Sequence, residues 1–228
     1  MNKTILTLAA ISLAAASAWS QSTTVSITNS TATVVPEGNL VGAAEIFSVS
    51  GLSGAITDAQ LSLDISGGFN GSLYAYLAGP GGQTAILLNR VGLSSTNLTG
   101  YSDAGFDITL DSLATNDIHT YQNGTYNLQD GQLAGTWAAD GRNLDPQSPG
   151  GAFDAASPTL ALNIFNGLNA ATENGVWTLF IADVAAGGGS PIIDQTILSV
   201  TAIPEPSSLA LAVVGAAAAF GCWRQTRG

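Results

Sequence analysis

The 228-residue chain has one cysteine, one histidine and one lysine, and each scarcity removes a chemistry. Cys222 lies in an apolar C-terminal tail, so the rest of the chain forms no disulfide. A zinc site of the Cys/His type needs several ligands, and His119 alone does not supply them. Lys3 stands at the N-terminal end, leaving the interior without an amine for Schiff-base or isopeptide chemistry. Between residues 21 and 203 the basic side chains are Arg90 and Arg142, set against fifteen carboxylates, a balance of −13. Phosphate backbones and anionic lipid surfaces require clustered Lys and Arg, which excludes nucleic acid and disfavours such surfaces. With only 9% charged residues, the surface must be built largely from Ser, Thr, Asn, Gln and Gly.

The two ends are distinct from the middle. Lys3, the apolar stretch Ile5 to Ala16, and the small residues Ala16-Ser17-Ala18 or Ala18-Trp19-Ser20 have the layout of a secretory signal peptide over 1–20. Signal peptidase and the secretion machinery are the partners this implies. At the other end, Pro204, Glu205 and Pro206 stop any helix or central strand. An apolar run follows, and its residues 207–223 would extend about 26 Å as a helix, near the lower limit for a bilayer span. Arg224 and Arg227 then hold the C-terminal end on the cytoplasmic side. This order over 203–228 resembles the PEP-CTERM sorting signal of Gram-negative bacteria. The resemblance implies an exosortase as partner, transient anchoring in the inner membrane by the C-terminal helix, and a final place in the envelope or outside the cell.

The middle segment alternates with period two between Gly, Asn, Asp and Pro breaks. Leu61, Leu63 and Ile65 share one face; so do Leu73, Ala75 and Leu77, opposite Tyr74 and Tyr76. Gly79-Pro80-Gly81-Gly82 turns the chain into a more fully apolar strand, Thr84 to Asn89. Phe106, Ile108 and Leu110 alternate with Asp107 and Asp111, and Val176–Ile181 and Ile192–Val200 are further strands. Helical spacing is confined to a short turn near Leu162–Leu168. The expectation is an all-β, jelly-roll-like sandwich of about eight strands, galactose-binding-like in architecture, with one C-terminal transmembrane helix. It occupies 45–202, with 21–44 as an extended lead-in and 114–158 as an insertion of surface loops.

Ile56 to Ile65 followed by Phe69-Asn70-Gly71-Ser72-Leu73, then Leu77 to Thr84 and Leu87-Leu88-Asn89-Arg90, resembles the P domain (P/Homo B domain) of subtilisin-like proprotein convertases. Gly175-Val176-Trp177-Thr178-Leu179 through Asp183 continues that likeness. The chain departs from the family where Ser72 replaces a carboxylate, where Thr196 stands near an expected Trp, and where Gly187–Pro191 replaces an Asp-x-Gly turn. The resemblance implies a domain that accompanies a separate protease domain rather than a protease.

No catalytic residues and no metal ligands are assigned. His119 sits in a polar stretch without a nucleophile-elbow signature, and is expected as a solvated or locally bonded loop residue. The aspartates at 103, 107, 111, 117, 140, 145 and 154 suit Asx turns, with loop calcium as the one cofactor alternative. Tyr101, Tyr121, Tyr126 and Trp137 fall in or beside loops, where rings can stack on sugars. Two functions follow: a noncatalytic exported surface or matrix protein sorted by exosortase, or a carbohydrate-binding, lectin-like module with polysaccharide as partner.

Overall fold

The computed structural model describes residues 21–204, and from Ser22 onward these fall within one compact unit, Ser22–Glu205. The signal-peptide residues, Glu205, Pro206, the 207–223 segment, Arg224 and Arg227 lie outside the described residues. The strands are β1 (Thr23–Asn29), β2 (Thr33–Val34), β3 (Asn39–Val49), β4 (Ala55–Ser66), β5 (Leu73–Ala78) and β6 (Thr84–Asn89). They continue with β7 (Gly105–Asp111), β8 (Asn127–Gln129), β9 (Gln132–Trp137), β10 (Gly175–Asp183) and β11 (Ile192–Ile203). Among the described residues one short helix, α1 (Gly150–Ala155), and several 3₁₀ turns, including Ile118–Asn123 and Leu162–Phe165, fill the connections. No described helix is long and apolar enough to cross a membrane.

Among the described residues two sheets result, one of seven strands and one of four, so eleven strands stand where about eight are expected. The larger runs β1-β11-β4-β7-β9-β8, with β2 also on β11; the smaller runs β3-β10-β5-β6. The extra strands come from two places. The 21–44 stretch supplies β1 and β2, which pair with β11, and the start of β3. The 114–158 stretch, expected as surface loops, supplies β8 and β9, and β9 joins β7 in parallel.

The period-two pattern sets the core. Leu61, Leu63 and Ile65 of β4 and Leu198 and Val200 of β11 face Leu73, Ala75, Leu77, Trp177 and Leu179 of the other sheet, all at 0–1% exposure. Burying a side chain of this size is worth about 1.5–3 kcal/mol. The Gly79–Gly82 turn closes with Gly79 N–H donating to Gln83 O at 2.9 Å, and Gly82 takes φ 93°, where a side chain would be strained. The β8–β9 hairpin turns on Asp130-Gly131, both with positive φ (52° and 93°), a two-residue turn whose twist matches the strands.

β4 and β11 are adjacent interior strands of the larger sheet, and β11 ends at Ile203. The chain passes directly from that strand into Pro204. Gly54 (φ 83°) lies beneath the exit: a Cβ there would sit 2.0 Å from Ile203 O and 2.4 Å from Pro204 Cα.

Candidate functional site

The 114–158 stretch carries the densest polar chemistry of the described residues. β9 ends at Trp137, and the chain then runs beside β6, with Asp140 N–H donating to Leu87 O and Gly141 N–H to Ile86 O. This delivers Asp140 into the protein at 0% exposure. One of its oxygens lies 2.7 Å from Nδ1 of His119 and accepts Asn89 N–H at 3.2 Å; the other accepts from Nη1 of Arg142 at 3.2 Å. Arg142 also forms a two-pronged pair with Asp117, at 2.7 Å and 3.2 Å. Burial alone would push the Arg142 guanidinium down, but the bonds and charges of Asp117 and Asp140 outweigh it and hold it above its ordinary value.

His119 is therefore not a solvated loop residue. It is 3% exposed, its ring stacks on Phe153 at 5.7 Å and 7°, and its Nε2 donates to Leu93 O at 3.1 Å. Both ring nitrogens thus face oxygen atoms of the protein itself. A Ser-His-Asp mechanism needs that Nε2 directed at a hydroxyl to accept its proton. Here it points at a backbone carbonyl.

The four loop aromatics converge on one cluster centred on Tyr121. Tyr101 meets it at 4.6 Å, Tyr126 at 5.4 Å and Trp137 at 6.1 Å, each edge to face. Tyr121 (1% exposed) and Trp137 (7%) are buried, so their faces serve packing and are not open for stacking on a sugar. The Tyr121 hydroxyl donates to Asp103 at 2.6 Å and accepts from Asn70 at 3.2 Å; burial first, and then Asp103, pushes its pKa up. Tyr101 is half-buried and Tyr126 exposed.

Two clefts flank this region. One, of about 430 Å³, is lined by Leu93, Asn97, Tyr101, His119 and Asp154 among others; the second, of about 500 Å³, by Asn116, Asp117, Tyr121, Thr125 and Trp137. Thr120 and Asn123 border both. Three of the seven aspartates close local turns. Asp111, Asp117 and Asp145 each accept the N–H two residues ahead, the geometry of an Asx turn, and Asp154 accepts Ser95 N–H at 3.1 Å. Among the described residues no group of three or more His, Cys, Asp or Glu side chains is placed to hold a metal ion.

Sequence reasoning missed the His119–Asp140–Arg142–Asp117 cluster. Its members are scattered over 26 positions without a periodic signal, and only the pairing of the sole His and one of two interior Arg residues with nearby Asp hinted at it.

Comparison with known proteins bears on the C-terminal end. The PEP-CTERM protein-sorting motif matches residues 202–227. No curated protein matches the chain. Among solved structures, the serine protease of Aeromonas sobria is similar in complex with its chaperone (15% identity, TM-score 0.41) and by itself (13%, 0.38). Each likeness covers 80% of this chain and 26% of the solved chain, so this protein spans about a quarter of the structures it matches. The C-terminal segment is a PEP-CTERM sorting motif, the recognition signal for exosortase, and it marks the chain for export and C-terminal anchoring.

Proposed function

We propose that this chain is a noncatalytic surface or extracellular-matrix protein, a P-domain-like sandwich delivered by the secretion machinery and processed by an exosortase. The observation that carries the reading is the sorting motif at 202–227, of which the first two residues still belong to β11. Pro204, Glu205 and Pro206 carry recognition, the 207–223 segment holds the substrate in the membrane, and Arg224 with Arg227 fix its orientation. The noncatalytic part is supported by His119, whose two ring nitrogens are both engaged within the protein. The likeness to P domains is supported by the β5–β6 hairpin around Pro80 and by Trp177, which is buried at 0% exposure and donates to Glu173 O at 2.9 Å.

Replacing Pro204, Glu205 and Pro206 with alanine in the native host tests the reading. Cell fractionation and intact-mass measurement should show unprocessed precursor retained in the membrane. Unchanged mature size and location would overturn it.

A further inference from the structure

We propose that the two clefts meeting at Thr120 and Asn123 form a binding site for a neutral saccharide. This goes beyond the sorting reading and does not depend on it. The volumes, about 430 and 500 Å³, are in the range that accommodates small ring ligands.

Charge decides the class of ligand. The ionic groups in the walls are already matched: Arg142 to Asp117 and Asp140, His119 to Asp140, and Asp154 to the Ser95 N–H. With no wall cation left over and a chain of net charge −11, an anionic ligand would be repelled rather than recruited. What remains is neutral hydrogen-bonding capacity. Among the described residues, the side chains of Asn116, Thr120, Asn123 and Thr125 make no hydrogen bond, and all four border the clefts. Amides and hydroxyls, each able to donate and accept, match the vicinal hydroxyls of a sugar.

Tyr101 supplies the apolar contact. Gly92 lies under its ring, so close that a Cβ would fall 2.5–2.6 Å from three ring atoms, and Tyr121 meets it edge-on. The ring is thereby fixed in the wall of the first cleft. A rigid aromatic beside amide and hydroxyl donors offers both contacts that a pyranose presents, its C–H face and its hydroxyl rim.

The test is calorimetric titration of the exported protein with maltohexaose, with cellohexaose, and with polygalacturonate as the acidic counterpart. The wild type should bind a neutral hexaose. Asn123→Ala combined with Thr120→Val, changes at surface side chains without internal bonds, should weaken binding about tenfold or more, given about 0.5–1.5 kcal/mol per hydrogen bond. The urea midpoint of that variant should match the wild type, which separates lost contacts from lost fold. Failure of both hexaoses to bind, equal binding by the double variant, or binding of polygalacturonate alone would each overturn the proposal.

Discussion

Nδ1 of His119 lies 2.7 Å from the carboxylate of Asp140, and both side chains are removed from solvent. Arg142 binds the carboxylates of both Asp117 and Asp140, and Asp140 also takes the Asn89 N–H. The buried group ties the turn after β7, the segment after β9 and the return strand β6 into one body. Its role is architectural: it fastens the 114–158 stretch to the sandwich.

Asp140→Ala should be among the most damaging single changes in the domain. It strips the carboxylate from His119 and Arg142 together and leaves Asn89 N–H without its acceptor. Removing one partner of a buried ionic group typically costs about 3–5 kcal/mol. Urea unfolding should show a loss of that order. Asp154→Ala, at an exposed carboxylate bonded to Ser95, should stay close to wild type. Equal effects of the two changes would contradict the architectural role.

A second polar tie crosses the sandwich. Glu45 of β3 points inward at 8% exposure, and the hydroxyl of Thr196 on β11, at 0% exposure, donates to it. The remaining contact, from Asn29 at 3.5 Å, is weak. Thr196→Val should therefore leave a poorly satisfied carboxylate between the sheets and cost about 1–3 kcal/mol. Glu45→Leu combined with Thr196→Val should recover much of this, because replacing both partners by apolar groups removes the unmet demand. A double-mutant cycle on unfolding midpoints reads the coupling directly.

Sequence legibility follows the range of the interactions. The faces of β4, β5, β7 and β10 could be read from alternation, because Leu61, Leu73, Phe106 and Trp177 obey a local period of two. The turn at Leu162–Phe165 was equally local. Asp130-Gly131 is a local hairpin signal, and it accounts for β8 and β9 within the stretch expected as surface loops. The parallel pairing of β7 with β9 was not readable, since nothing in either strand names its partner. For the candidate site, the four aromatics stand out in the sequence, but their mutual packing around Tyr121 depends on contacts between residues 101 and 137 that no short pattern encodes. His119 is illegible for the same reason: its polar neighbours in sequence suggest a solvated or locally bonded loop residue, whereas the distant Asp140 and Leu93 hold its ring in the fold.

Asp183 should give a pH-dependent signature. It ends β10 fully buried, with one carboxylate oxygen lacking a hydrogen bond, and burial is the main cause that pushes its pKa up. A raised folded pKa means that the neutral form is favoured in the fold. Its stabilising contribution is complete below the ordinary carboxylate pKa and is lost as pH rises through the folded value. Asp183→Asn keeps the acceptor for Ala185 N–H and removes the charge. The unfolding midpoint of the variant relative to wild type should therefore rise as pH increases from about 3 towards neutral, starting in the ordinary carboxylate range. A difference that stayed flat or fell over that window would show that the fold does not raise the Asp183 pKa.

The junction between the sandwich and the sorting motif can be tested with two glycines three residues apart. Gly51 and Gly54 share nearly the same backbone conformation, φ 85° and 83°. A Cβ at Gly51 would meet nothing within 4 Å, whereas one at Gly54 would collide with the backbone of Ile203 and Pro204. Alanine at either site carries the left-handed backbone strain, about 1–2 kcal/mol. Only Gly54→Ala adds the collision, which can be relieved by moving the last residues of β11 away from β4. The loss of stability should accordingly be larger at Gly54. The strand end at Ile203 and Pro204 should also be freed, so pulse-chase labelling in the host should show faster conversion of precursor to processed form for Gly54→Ala than for Gly51→Ala. If both variants are processed at one rate while Gly54→Ala is clearly less stable, the docking of Ile203 against Gly54 does not limit access to the motif.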